Sequence, residues 1–209
     1  MPSSALPPRG SMGRPLSAEG AILAAAQRLL DDGVSFTELG VQWISVEAGV
    51  SRSSFYVHFR DKIDLLMRLA EQFLVPAFDA SSAWRPSDGP EALTETFLNV
   101  LVFYRQHAAV RRALAEAAAY DATAGQAWGQ EIAQFTGWTL AVLSAEQQAG
   151  RTPSDVDALS ATQVIVTGGE RAIVEHITTR PPGSDPVFAR ELALIWWYGV
   201  YRRPTGDTA

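Results

Sequence analysis

At 209 residues with 47% apolar side chains, the chain can bury a sizeable core and form one or two domains. It has no cysteine, which excludes disulfides, thiolate chemistry and cysteine-ligated zinc. The net charge of −6 does not advertise nucleic acid, yet residues 1–70 balance seven Lys/Arg against seven Asp/Glu, while residues 71–209 hold ten against sixteen. An acidic body with a neutral end can still present a phosphate-binding face there.

Residues 1–16 carry no apolar core of the kind a signal peptide needs and read as a flexible tail, as do residues 204–209. No run approaches the ~18 apolar residues of a membrane helix. The expectation is a cytoplasmic protein that makes no membrane contact.

The first helical signal is the stripe Ile22, Ala25, Ala26, Leu29 and Leu30, with Ser17 as N-cap and Gly33 as stop. A second short helix covers about 41–48, with Gly40 at its N-cap. Gly49 breaks it, Val50 turns inward, and Ser51 caps a third helix running to about Phe59. Asp61 caps a fourth helix, with Asp64 three residues on as a variant capping box. Its stripe is Leu65, Leu66, Leu69 and Phe73, and Pro76 is expected to end it. After the polar stretch 81–90, helical periodicity predicts further helices at about 90–105, 108–120, 125–149, 155–180 and 185–201. Gly150 and Pro153 separate two of these, and Pro181, Pro182 and Gly183 separate the last pair. Alternating strand patterns with turn dipeptides are absent. The fold class is all-α.

Two short helices joined by an Ala-Gly-Val turn form a helix-turn-helix, whose second helix enters the major groove. Val46, Val50, Phe55 and Phe59 are expected to hold the unit onto the first helix. The other face carries Arg52, Ser53, Ser54, Tyr56 and His58, followed by Lys62, the chain's single lysine. Arginine can pair bidentately with guanine, and serines can serve bases or phosphates. Tyr56, His58 and Lys62 can reach phosphate oxygens, with amide donors from the start of the fourth helix.

The segment "AGVSRSSFYVHFRDKIDLL" resembles the DNA-binding segment of TetR-family transcriptional regulators. That resemblance covers about residues 17–70. It implies DNA contacts for Arg52, Ser53, Ser54, Tyr56, His58 and Lys62. Two departures stand out: Gly40 occupies an N-cap usually held by Ser or Thr, and Trp43 and Ser45 replace an acidic residue and an alanine. The cap change costs only a few tenths of a kcal/mol. Trp43 can pack on the first helix or sit against the DNA backbone.

The resemblance also implies a two-domain homodimer that pairs through its last two helices, with an apolar effector cavity in the second domain. The division expected is a helix-turn-helix domain at 17–62 and a helical ligand-binding and dimerisation bundle at 63–203. In that second part Trp128, Phe135 and Trp138 fall roughly on one helical face, and Phe97, Phe103, Tyr104, Trp196, Trp197, Tyr198 and Tyr201 add further aromatics. Such side chains suit a mostly apolar pocket with a few polar anchors, and equally an ordinary core. The segments "AVRRALAEAAA", "QAWGQEIAQFTGW", "GGERAI" and "LIWWYGVY" are similar to those of the mycobacterial ethionamide-resistance regulators. By that likeness Trp128, Phe135, Trp138 and Trp196 line the pocket, and Phe103 is counted with them. Val166 and Gly169 stand where the pocket asparagines would fall, so Thr167 or Glu170 is the candidate polar anchor. Gly168 and Gly169 in mid-helix cost about 1 kcal/mol each relative to alanine, which suggests close helix approach, room for a ligand, or a kink.

His58, His107 and His176 share no metal-ligand spacing, and no nucleophile elbow or phosphate-binding loop is present. No enzyme, metal or cofactor is expected. The reading is a DNA-binding regulator, a repressor released from a pseudo-palindromic double-stranded operator by a hydrophobic small-molecule effector. The alternatives are a helical lipid- or drug-binding protein without DNA readout, and a TetR-like activator.

Overall fold

A computed structural model describes residues 17–203; the expected tails at 1–16 and 204–209 lie outside the described residues. Helices α1 (Ala18–Asp31), α2 (Val41–Glu47), α3 (Arg52–His58) and α4 (Lys62–Ser82) are followed by α5 (Gly89–Gln106) and α6 (Ala108–Ala118). Then come α7 (Ala122–Gln148), α8 (Ala158–Thr179) and α9 (Asp185–Leu194), the last continuing as a π-helical turn, Ile195–Val200. No strand occurs among the described residues, so the fold is all-α as expected.

The helix starts follow the predicted caps. Ser17 Oγ accepts from the Gly20 amide at 3.1 Å, Ser51 Oγ from Ser54 at 3.0 Å, and Asp61 Oδ1 from Asp64 at 2.8 Å. The Asp64 carboxylate answers one residue earlier than a capping box requires, accepting from the Arg60 amide at 3.0 Å. Gly33 ends α1 at φ +92°, a left-handed turn that glycine enters without steric cost.

Three local expectations are corrected. Pro76 does not end α4, which runs through it to Ser82. Helix α4 packs along α5, α6 and α7, and that support offsets the hydrogen bond a proline removes. Of its predicted stripe, Leu65, Leu66 and Leu69 are buried, while the side chain of Phe73 lies outside the described residues. Val46 does not hold the helix-turn-helix together; it is exposed, and the α1–α2 loop supplies buried Phe36 and Leu39 instead. The final helix is not uniform, because it widens into a π turn at Ile195.

Two apolar clusters form the interior. The first gathers Ile22, Leu30, Phe36, Leu39, Ile44, Phe55, Phe59, Leu65 and Leu66 from α1–α4 with Ala109, Val110, Ala113, Leu114 and Ala117 from α6. The second joins Leu93, Phe97 and Leu101 of α5 to Ile165 and Ile173 of α8, to Leu192 of α9, and to Trp196, Trp197 and Tyr201 at its end.

A buried ionic network locks α5, α8 and α9 together. Arg105 donates to both oxygens of Asp185, at 2.8 and 2.7 Å, and to the carbonyls of Ile177 and Arg180. His176 Nε2 lies 2.9 Å from Asp185 Oδ1. The Arg105 hydrogen bonds hold the Asp185 carboxyl below its ordinary range, against the opposing effect of burial. Removing one partner of a buried pair leaves the other charge uncompensated, at a cost of about 3 kcal/mol or more. Asp185→Asn should therefore lower unfolding stability by about 3 kcal/mol in urea titrations.

Candidate functional site

Two surfaces carry the functional candidates: the outer face of α3 and an internal cavity between α4, α5, α7 and α8. Helix α3 is seated by Phe55 and Phe59, both fully buried, so its opposite face is fixed in orientation. That face holds Arg52, Ser53, Tyr56 and His58, all exposed, with Ser54 half-buried. Arg52 lies along the helix surface, with Nη2 3.4 Å from the Tyr56 hydroxyl and its guanidinium carbon 5.7 Å from the Tyr56 ring centre. Ser53 Oγ lies 2.8 Å from Ser51 Oγ. No acidic residue occurs between Glu47 and Asp61. Trp43, on α2, is about half exposed.

Lys62 differs from the other candidates. Its Nζ donates to the carbonyls of Phe36 at 2.9 Å and Thr37 at 3.1 Å, and sits 4.8 Å from the Phe36 ring centre. Burial lowers its pKa, and the charge of Glu116 opposes that shift. Two of the three ammonium donors are thus used to tie α4 to the α1–α2 loop.

The same loop is gripped from the other side by α6. The Glu116 carboxylate accepts from the amides of Phe36 at 3.0 Å and Thr37 at 2.8 Å, and from the Thr37 hydroxyl. Arg112, on the same helix, donates to the Leu30 carbonyl at 3.2 Å. Sequence reasoning missed both residues. Glu116 is a single carboxylate in an alanine-rich helix, and its partners lie 79 and 80 positions away.

The cavity is lined mainly by apolar side chains, including Phe97, Val100, Ile132, Phe135, Val166 and Trp196. Of the sequence candidates, Phe135 and Trp196 line it, and so do Val166, Gly169 and Glu170. The others are not brought to it. Trp128 faces a neighbouring open cleft, Trp138 stacks on Phe135 and lines a separate depression beside Arg85, and Thr167 is exposed on α8. Phe103 is half-buried, its ring centre 4.4 Å from that of His107. A Cβ at Gly169 would stand 3.8 Å from Trp196 Nε1 and from Leu192 Cδ1, ordinary van der Waals contact, and one at Gly168 would meet nothing within 4 Å, so helix packing does not require the double glycine. Trp196 Nε1 itself is buried without a hydrogen-bond partner.

Residues 22–69 match the family model described as bacterial regulatory proteins, tetR family, and residues 93–202 match that of the C-terminal domain of the transcriptional regulator EthR. The HTH-type transcriptional regulator EthR of Mycolicibacterium smegmatis is 30% identical over 190 residues, covering 88% of this chain and 86% of that protein. The chain belongs to the TetR family of transcriptional regulators. EthR of Mycobacterium tuberculosis is 28% identical over 186 residues, covering 87% of this chain and 86% of its own. Among solved structures, Salmonella enterica GusR superposes with a TM-score of 0.65 at 16% identity, covering 92% of this chain and 99% of that one. The ketosteroid regulator KstR2 of Mycobacterium tuberculosis superposes with 0.61 at 19% identity, covering 91% and 96%. At those identities the likeness is one of fold. As a TetR-family regulator the protein binds DNA and is not an enzyme. No helix among the described residues is long and apolar enough to cross a membrane.

The tie between α6 and the α1–α2 loop has a pH signature. The Thr37 hydrogen bonds hold the Glu116 carboxyl below its ordinary value of 4.5, with burial opposing them. A carboxyl depressed on folding stabilises the fold fully above its unfolded value, and that contribution is lost as pH falls through the lower folded value. Glu116→Gln should therefore destabilise by about 1 kcal/mol at neutral pH, and the difference from the parent protein should shrink below about pH 4 in denaturant titrations.

Proposed function

We propose that this TetR-family regulator is a repressor that leaves a pseudo-palindromic operator when an apolar small molecule enters the cavity. The observation that carries the reading is the pairing of an acid-free, donor-rich α3 face with an apolar cavity whose neighbouring helix, α6, also grips the helix-turn-helix. Arg52 is the base reader, through the bidentate geometry guanidinium offers to guanine. Ser53, Ser54, Tyr56 and His58 serve bases and phosphates along the groove. Lys62 spends its remaining N–H on a phosphate oxygen while its other two hold the loop. Residues 17–62 form the reading unit and 63–203 the sensing and pairing unit.

Dimerisation through the last two helices is supported by their outer faces. Leu159 and Val164 on α8, Val187 on α9, and Ile195 and Tyr198 on the π turn are all exposed apolar or aromatic side chains. A two-fold pair would put one α3 in each of two major grooves, and half-site spacing would follow whole helical turns. In the cavity, Phe135 and Trp196 pack against the effector, and the unpaired Trp196 Nε1 offers it a donor. The effector shifts the population of dimers toward a spacing that no longer fits the operator, by no more than its differential affinity for the two states.

The test is selection of genomic fragments on the purified protein, followed by footprinting. A recurring inverted repeat is expected. Arg52→Ala should relax specificity at one base position per half-site by about 1–3 kcal/mol. Lys62→Ala should weaken binding to all sequences alike, and should also lower the thermal midpoint because the loop loses two bonds. Absence of any enriched sequence would count against operator recognition. An unchanged affinity for Lys62→Ala would remove its phosphate role.

A further inference from the structure

Arg111, on α6, is only 5% exposed. Its guanidinium carbon lies 4.5 Å from the centre of the Tyr104 ring and 4.7 Å from that of Trp128. Nη2 donates to Glu170 Oε1. Nη1 is buried with no hydrogen-bond partner. Leaving a buried charged donor unmade costs more than an ordinary hydrogen bond returns, so such a group is a place where an acceptor is missing.

Its neighbours say where that acceptor would come from. Tyr104 and Glu170 both line the apolar cavity, while Arg111, Trp128 and Glu170 line the open cleft beyond it. Glu170 therefore stands where the two spaces meet, directly beside the guanidinium. Arg112 and Arg171 line the same cleft, giving it three cations. Of its two carboxylates, Glu116 is already committed to Phe36 and Thr37, and Glu170 to Arg111. The cleft is thus net positive where it borders an apolar cavity.

The geometry points to a headgroup site at Arg111: the effector is an amphipathic acid whose apolar chain fills the cavity and whose carboxylate accepts from Arg111 Nη1. This rests on the effector reading given above and narrows its chemical class. Glu170 keeps its bond to Nη2, and Arg112 and Arg171 offset the second negative charge. The two rings against the guanidinium restrict it, so little side-chain freedom is lost when the carboxylate arrives. A neutral ester of the same chain can occupy the cavity but offers only a weaker, uncharged acceptor.

The test titrates the full-length protein with octanoate, decanoate and dodecanoate, and with the methyl ester of each, by isothermal calorimetry. Each acid should bind at least about tenfold more tightly than its ester. Arg111→Gln, which keeps a planar amide but removes the charge, should weaken the acid at least about tenfold and the ester much less, so that the acid-to-ester ratio falls toward one. Should that variant fail to fold, the acid-to-ester ratio in the parent protein decides the matter alone. Equal affinity for acid and ester overturns the headgroup site while leaving an apolar effector cavity intact. Binding of neither overturns the effector cavity, and the headgroup site with it.

Discussion

The helix-turn-helix of this protein does not bury its apolar side chains by itself. Ile22, Leu30, Phe36, Leu39, Phe55 and Leu66 close into one core only with Ala109, Val110, Ala113, Leu114 and Ala117 of α6. Small residues on that face of α6 let the two units approach closely, and the Glu116 carboxylate fixes their register by accepting from consecutive amides of the α1–α2 loop. A core shared in this way is close-packed and transmits displacement rather than absorbing it. Movement of α6 is therefore movement of the surface on which α3 is mounted.

The same helix reaches the border of the cavity. Arg111 is adjacent in sequence to Arg112, which holds Leu30, yet it turns inward to Tyr104, Trp128 and Glu170 at the border of the cavity. The cavity wall is itself held by the Arg105–Asp185–His176 network, which fixes α5, α8 and α9 around it. Between those rigid parts lie the softer elements: a proline within α4, a double glycine in α8, and a π turn that carries Trp196. Local departures of this kind concentrate where a protein has functional reasons to tolerate them.

Much of the fold was legible in the residues. Caps at Ser17, Ser51 and Asp61 and the stripe of α1 depend on neighbours within one or two turns, and local rules suffice there. The α3 face could be read for the same reason: Phe55 and Phe59 bury one side, which leaves Arg52, Tyr56 and His58 on the other. Where packing across the chain decides, the sequence misled. Pro76 stayed helical because three helices support α4, and Val46 was exposed because the preceding loop had already filled the core with Phe36 and Leu39. The cavity was half legible. The likeness to the ethionamide-resistance regulators pointed to Phe135 and Trp196, which line the cavity, and equally to Trp128 and Trp138, which lie on α7 with Phe135 but face other spaces. Glu116 and Arg111 were hidden by the same cause, since nothing local distinguishes a carboxylate or guanidinium that pairs across the fold from one that is solvated.

The central claim is that a chain acidic overall grips DNA through a local cationic face and releases counterions in doing so. The most direct measurement is the affinity for one selected site, and for unrelated DNA of equal length, across a series of salt concentrations. The account predicts that log affinity falls linearly with log salt, with a slope near −0.9 for each phosphate neutralised, and that the selected site stays tighter by roughly a thousandfold or more. A slope near zero, or equal affinity for the two DNAs, would contradict it.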